Sequence, residues 1–274
     1  VVMRPTFGQN LKYFIGYQCN HMYWRYFMWN FVGRQNDIQG HGELENGNWI
    51  SGISFIDNAR LGNQDNLPRS MENSGRTEFY FLPLLLGLVG LFYHIRNDIK
   101  NSWVVFLLFF MTGLAIVIYL NQTPFQPRER DYAYAGSFYA FCIWIGFGVL
   151  GIMSLLQKIF KNKMIAAVVA FILCLSVPTV MAASGWEGHN RANKTAALDW
   201  GKNYLKNLPE NAVIFTRGDN DTFPLWYVQE VENYRTDVRV CNYMLASGYW
   251  YVHQMGRKQY ESEKLPLTLT PEQY

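Results

Sequence analysis

Four long apolar stretches dominate the pattern of the chain, at residues 79–95, 102–120, 137–156 and 164–184. Each holds 17–21 residues without a single Asp, Glu, Lys or Arg. A helix rises about 1.5 Å per residue, so about 20 such residues cross the ~30 Å hydrocarbon layer of a bilayer. Core helices of soluble bundles keep a polar face, and these stretches have none. The pattern predicts a mainly α fold: a polytopic membrane bundle with four spans here, followed by an α/β soluble region at the C-terminal end. The expected divisions are an interfacial helix and loop at 1–78, a four-helix transmembrane region at 79–184, and the start of an α/β domain at 185–274.

The links between the stretches set an orientation. The 96–101 link carries Arg96 and Lys100 against one acid, and the 157–163 link carries Lys158, Lys161 and Lys163 with no acid. By the positive-inside rule both face the cytoplasm. Residues 1–78, the 121–136 loop and the tail from 185 then share the outer side. Within the first segment, "YFIGYQCNHMYWRYFMWNF" (13–31) contains nine aromatics, interrupted by His21, Arg25 and amides. Tyr and Trp favour the headgroup zone, so this reads as a helix on the outer membrane surface, packed on the spans, or simply buried. The Gly- and Asn-rich stretch 32–52 reads as a long loop, of a length usually functional or disordered.

The tail has a different period. Ala196, Leu198, Trp200 and Leu205 stand at helical spacing before Pro209, "AVIFT" (212–216) has the composition of a buried strand, and "DVRVCNY" (237–243) alternates like a second. With Thr222 as a candidate N-cap for a helix reaching about Asn233, the order is that of a βαβ unit.

Composition fits apolar blocks set among polar ones. Of 274 residues, 50% are hydrophobic and only 16% charged, yet mean hydropathy is nearly neutral. A formal charge of +3 without a basic stripe argues against a nucleic-acid partner. The four cysteines form no CxxC pair; Cys142 and Cys174 lie in apolar runs as small hydrophobes, and only Cys19 and Cys241 could bridge. The five histidines show no ligand spacing, so no zinc site is expected, and His94 reads as an interfacial residue at the end of the first span.

Two polar clusters carry candidate chemistry. "RERD" (Arg128, Glu129, Arg130, Asp131) stands at the lip of the third span, with Tyr132, Tyr134 and Tyr139 following. Its charges could pair among themselves or with acids elsewhere and merely end a loop. Equally, guanidinium groups bind phosphate in two-pronged fashion, and a polyprenyl-phosphate donor would place its phosphate at this depth. "GDND" puts Asp219, Asn220 and Asp221 between a strand and a helix, where open α/β sheets bind ligands. Asp219 and Asp221 could hold a divalent cation or form a turn.

Three stretches together carry a resemblance: "YFMWNFVGRQNDIQGHG" (26–42), "PFQPRERDYAYAGSFYAFCIWIGFG" (124–148) and "AVIFTRGDNDTFPLWYVQEVENYRTDVRV" (212–240). In this order the chain resembles the bacterial branch of a family of large polytopic membrane proteins, long filed as a domain of unknown function. That family is grouped with the GT-C glycosyltransferases, and its animal relative is a protein O-mannosyltransferase. The resemblance implies an integral protein of the bacterial inner membrane with its soluble parts on the periplasmic side. It implies a polyprenyl-phosphate-linked sugar donor, an active site opening outward, and a protein hydroxyl as acceptor. The acid that commonly acts as base in such enzymes lies in a first outer loop upstream, so this chain is expected to be an internal piece without it, and the catalytic residue is unknown. Arg128 to Asp131, with Tyr132, match the candidate donor-phosphate loop. Arg34, Asn36 and Asp37 of "GRQND", and Asp219, Asn220 and Asp221 of "GDND", are motif residues without a defined role. The competing expectations are a transporter or flippase fragment, which needs charged or broken mid-membrane helices, and a non-catalytic scaffold carrying a periplasmic binding domain.

Overall fold

A computed structural model describes residues 4–64, 67–68, 74–125 and 128–268. The chain divides into two compact units, Val1–Asn190 and Arg191–Tyr274.

The first unit opens on a helical path. α1 (Phe7–Tyr13) is capped by Thr6 and Gln9, which bond each other's backbone, and passes into wide π turns at Phe14–Trp24 and then α2 (Arg25–Phe31). The aromatic run does not lie loose on a surface. Tyr23, Tyr26, Phe27 and Phe31 are buried against Val117, Phe138 and Trp144 of the apolar helices. Tyr13 and Gln18 also donate to the carbonyl of Gln122, at 2.5 and 3.0 Å. Two-residue strands β1 (Gly33–Arg34) and β2 (Thr77–Glu78) pair antiparallel. α3 (Ser54–Leu61) lies between them, its Asp57 buried and accepting the backbone N–H groups of Ser51 and Gly52 at 2.8 Å each.

Three helical segments are long and apolar enough to cross a membrane: Ile99–Leu120, Asp131–Leu156 and Lys163–His189. They comprise α5 (Ile99–Met111) with α6 (Leu114–Leu120), a short 3₁₀ turn with α7 (Ala135–Leu156), and α8 (Lys163–His189). The first expected span differs. α4 (Leu82–Asn97) has 16 residues, about 24 Å at 1.5 Å per residue and short of the hydrocarbon thickness. Its expected start is taken up elsewhere: Phe79 and Tyr80 donate their backbone N–H groups to the carbonyls of Val32 and Ser51, both at 2.9 Å, extending the β1–β2 ladder. Pro83 falls in the first turn of α4, where no N–H is needed, whereas Pro178 is inside α8.

α4 lies on α7 at a distance that glycine permits. A Cβ on Gly90 would stand 1.7 Å from the Trp144 carbonyl oxygen, and one on Gly148 2.3 Å from that of Leu86. Small residues at such crossings let helix backbones touch where lipid offers no hydrophobic drive. His94, in the last turn of α4, is buried with its ring stacked on Phe147 at 4.1 Å.

The break between α5 and α6 has a local cause. A Cβ on Gly113 would meet the Ser137 and Tyr23 hydroxyl oxygens at 2.6 and 2.7 Å, and those hydroxyls bond each other at 2.7 Å. The helix yields there to a buried polar pair.

In the second unit, α9 (Ala196–Lys206) precedes β3 (Val213–Thr216), α10 (Asp219–Glu230), β4 (Arg239–Asn242) and α11 (Tyr249–Met255). β3 and β4 are parallel, in register from Val213 opposite Arg239 to Thr216 opposite Asn242. Leu205, Leu225, Val228, Val238 and Val240 form the core. Thr222 is not the cap of α10. The helix starts three residues earlier behind Gly218, and Thr222 lies buried, bonding Thr216 across the turn at 2.7 Å and accepting from Asn242 at 2.8 Å. All four cysteines are free.

Arg235 closes the C-terminal end of α9. Its Nη1 donates to the carbonyls of Leu205 (2.9 Å) and Leu208 (3.0 Å), its Nη2 to that of Pro209 (2.9 Å), and its Nε to Asp237 at 2.8 Å. The Arg235 hydrogen bonds hold the Asp237 carboxyl down to about 2, helped by the Asn211 N–H. A carboxyl depressed from an unfolded value near 3.9 contributes stability in full above about pH 4, and loses it as pH falls through about 2. Asp237→Asn is therefore expected to unfold more readily at pH 7, with a flatter acid limb between pH 4 and 2 in circular dichroism. An unchanged limb would show that this carboxylate does not anchor the turn.

Candidate functional site

Two of the motif stretches meet at the head of α7. The carboxylate of Glu129 receives the Arg25 guanidinium from α2 at 3.0 Å and the Tyr26 hydroxyl. Arg25 is buried and also donates to the carbonyls of His21 and Gly47, both at 2.9 Å. Its guanidinium lies over the rings of Tyr26 (4.6 Å) and Trp29 (4.7 Å). From the "GRQND" stretch, Arg34 covers the same Trp29 ring at 4.1 Å. The Arg130 backbone N–H donates to the Tyr26 hydroxyl at 3.3 Å. One aromatic pair, Tyr26 and Trp29, thus joins both motifs.

The sequence positions Arg34 through its neighbours. Gly33 has φ +142, and a Cβ there would lie 2.4 Å from the Thr77 carbonyl oxygen, so only glycine fits beside β2. Gln35 and Asn36 are buried and brace the loop. Gln35 donates to the Leu44 carbonyl at 3.0 Å and accepts from Asn48 at 2.9 Å. Asn36 donates to the Glu45 carbonyl at 3.2 Å and accepts the Gly47 N–H at 3.0 Å. The long loop is thereby tied into a fixed shape and hands the Gly47 carbonyl to Arg25. Asp37 is exposed.

Electrostatics follow from this packing. Burial pulls the Arg34 guanidinium below its ordinary value, and the charges of Asp131, Asp37 and Glu129 oppose that pull. Burial and the Arg25 charge push His21 down to about 4, leaving it neutral at pH 7. Burial and the hydrogen bond to Glu129 raise the Tyr26 hydroxyl well above the usual phenol range, so it stays a donor. The Nε atoms of Arg34 and Arg130 are buried and have no hydrogen-bond partner among the described residues.

The expected site residues part company here. Glu129 is held by Arg25 and Tyr26. Arg34, Arg130 and Asp131 remain at the cluster, half-buried. Arg128 is exposed, 5.7 Å from the Tyr132 ring. Of the tyrosines, Tyr132 and Tyr139 are exposed, but Tyr134 is turned into the core against Tyr23. The residue missed from sequence is Arg25. The signal was present, because a cation inside an aromatic run demands a buried partner.

The "GDND" residues lie apart from this cluster in the chain and form the first turn of α10. Asp219, Asn220 and Asp221 are all exposed. Residues two apart on a helix do not face one another, so the two carboxylates do not converge as cation ligands would. Their charges instead favour the helix N-terminus. Among the described residues no group of three or more His, Cys, Asp or Glu side chains could hold a metal ion.

Residues 197–274 match the model of a family described as TMEM260-associated domain 2. The match begins in α9 and lies within the second unit. Among curated proteins and solved structures, no significant match to the chain is found.

Proposed function

We propose that this chain is part of a membrane glycosyltransferase of GT-C type, moving a sugar from a polyprenyl-phosphate donor to a protein hydroxyl at the outer face of a bacterial inner membrane. The observation that carries this is the pair of buried, unpartnered arginine Nε donors, Arg34 and Arg130, beside a fixed aromatic pair at the head of an apolar helix long enough to span. In such a transfer the acceptor oxygen attacks the anomeric carbon and the bond to the phosphate oxygen breaks. The phosphate leaves with a full negative charge. Preset cationic donors at that oxygen stabilise the charge as it develops. Glu129 is committed to Arg25 and is not assigned the role of the base that receives the acceptor proton. The TMEM260-associated match of residues 197–274 is consistent with this assignment.

In the same proposal α4 is a fourth membrane segment, held at bilayer depth by α7 despite its length, with both Lys-bearing links on the cytoplasmic side. Impermeant thiol labelling from outside is expected to reach a cysteine at 128 and not one at 161; the reverse pattern would overturn this orientation. The break after Met111, which a transporter would also offer, is accounted for by the Tyr23–Ser137 pair.

The decisive test is transfer by the intact protein in lipid nanodiscs. Arg34→Ala and Arg130→Ala are each expected to lower turnover about a hundredfold, the scale of losing one charge-stabilising donor. Arg128→Ala is expected to have a much smaller effect. Full turnover by both inner variants at normal expression would remove the phosphate-binding role.

A further inference from the structure

Arg239, the first residue of β4, is 3% exposed. Its Nη1 donates to Gln259 Oε1 and Ser262 Oγ, both at 3.1 Å. Its Nη2 donates to the carbonyls of Gln254 (3.2 Å), Met255 (3.1 Å) and Arg257. Every one of these acceptors is neutral. Among the described residues the Nε is buried with no partner, and each ion pair joins other side chains. A buried guanidinium without a counter-charge is costly, and burial accordingly pulls its pKa down. The Nη2 closes the C-terminal end of α11, where a cation is favoured, and the Nε–H is the donor left over.

Arg239 borders a cavity of about 330 Å³, together with Trp226, Trp250, Tyr251, Gln254 and Tyr260. That volume falls within the range of about 300–1,000 Å³ usual for small-molecule sites. Trp250 and Tyr260 are exposed, offering flat apolar faces that a ring could cover. Glu230 also borders the cavity. It accepts from the Tyr260 hydroxyl and from Gln259 Nε2 at 3.5 Å. The same Gln259 carboxamide therefore touches the acid through its nitrogen and Arg239 through its oxygen. One anionic group entering would compensate Arg239, whereas a second negative charge would meet Glu230.

We propose that this cavity binds a small monoanionic carboxylate built on a ring, with the carboxylate toward Arg239 and the ring against Trp226 and Trp250. Sugar acids and aromatic acids share that chemistry. With both Nη atoms committed to protein acceptors, the Nε–H and the uncompensated charge supply the match to a carboxylate, and the indoles supply the stacking surface. The site is independent of the cluster at the head of α7 and does not rest on the transfer activity.

The test is isothermal titration of the purified chain in detergent with glucuronate and with benzoate. Glucose and benzyl alcohol serve as uncharged counterparts, and inorganic phosphate as a more highly charged anion. At least one carboxylate is expected to bind, with its uncharged counterpart tenfold or more weaker, about the worth of a hydrogen bond to a charged group. Which carboxylate binds decides between sugar and aromatic acids. Trp250→Ala, at an exposed position, is expected to weaken binding about fivefold while leaving the melting temperature unchanged. Arg239→Lys is expected to weaken it further. Absence of binding by both carboxylates, equal binding of the uncharged compounds, tighter binding of phosphate, or an unaffected Trp250→Ala variant would each overturn the proposal.

Discussion

Arg25→Ala is expected to lower the unfolding free energy of the first unit by about 3–5 kcal/mol, the cost of breaking a buried ion pair from one side. The guanidinium serves Glu129, the Gly47 carbonyl and the His21 carbonyl at once, and it lies against two aromatic rings. Truncation leaves the Glu129 carboxylate, whose side chain is only 16% exposed, without a cation. The long loop loses its anchor at Gly47 in the same stroke. Arg25→Lys keeps the charge but lacks the planar fork that reaches three acceptors, so it recovers only part of the loss. Glu129→Gln keeps an acceptor for the Tyr26 hydroxyl but leaves the more buried Arg25 without a counter-charge, so a comparable loss is expected. Thermal melts of the detergent-solubilised protein read all three. Equal melting of Arg25→Ala and the unaltered chain would mean that this pair does not hold the loop to the helix.

Gly90→Leu comes next in expected size, at about 3 kcal/mol or more, the upper range for overpacking a tight contact. The obstacle is backbone, which cannot rotate away as a side chain can. The new Cβ would stand 1.7 Å from the Trp144 carbonyl oxygen and 2.5 Å from the Gly148 nitrogen. α4 must then move off α7, exposing the seam formed by Gly87, Gly90, Gly148 and Gly151. Gly146 provides the control on the same helix as Gly148, since a Cβ there meets nothing within 4 Å. Gly146→Leu should melt like the unaltered protein. Loss at 146 equal to that at 90 would point to a general intolerance of added bulk on α7 rather than to the crossing, since Leu is the better helix former.

Much of the helical framework was legible from residue pattern because apolar runs in a helix respond to length and composition alone. Residues 102–120, 137–156 and 164–184 all lie within the membrane-length segments found. Residues 79–81 misled for a reason visible only after folding. "FYF" is as apolar as the helix after it, but its backbone is claimed by hydrogen bonds to Val32 and Ser51, which stand well before it in the chain. The strands of the second unit were placed by composition and pattern, yet β3 exposes Val213 and Phe215 instead of being buried, and β4 is buried along its length instead of alternating; the start of α10 was not legible. Thr222 has the chemistry of a cap, yet its hydroxyl is drawn inward by Thr216 and Asn242.

The candidate site divides the same way. "RERD" and "GRQND" announced themselves as polar stretches beside apolar ones, but nothing in one dimension said that they meet. Glu129 could have paired with its own neighbours Arg128 and Arg130; it pairs instead with Arg25, far back in the chain. That choice turns an exposed loop charge into a buried anchor, and at this cluster the Nε atoms of Arg34 and Arg130 have no partner among the described residues.

By itself, the order of residues determined the helical class, three of the four expected membrane-length segments and the strand–helix–strand order, because these depend on local period and transfer free energy. Only the tertiary structure decided which arginine takes Glu129, how closely α4 approaches α7, and which cations are left uncompensated. Those outcomes depend on the distance between groups far apart in the chain, and electrostatic and packing energies change steeply with that distance.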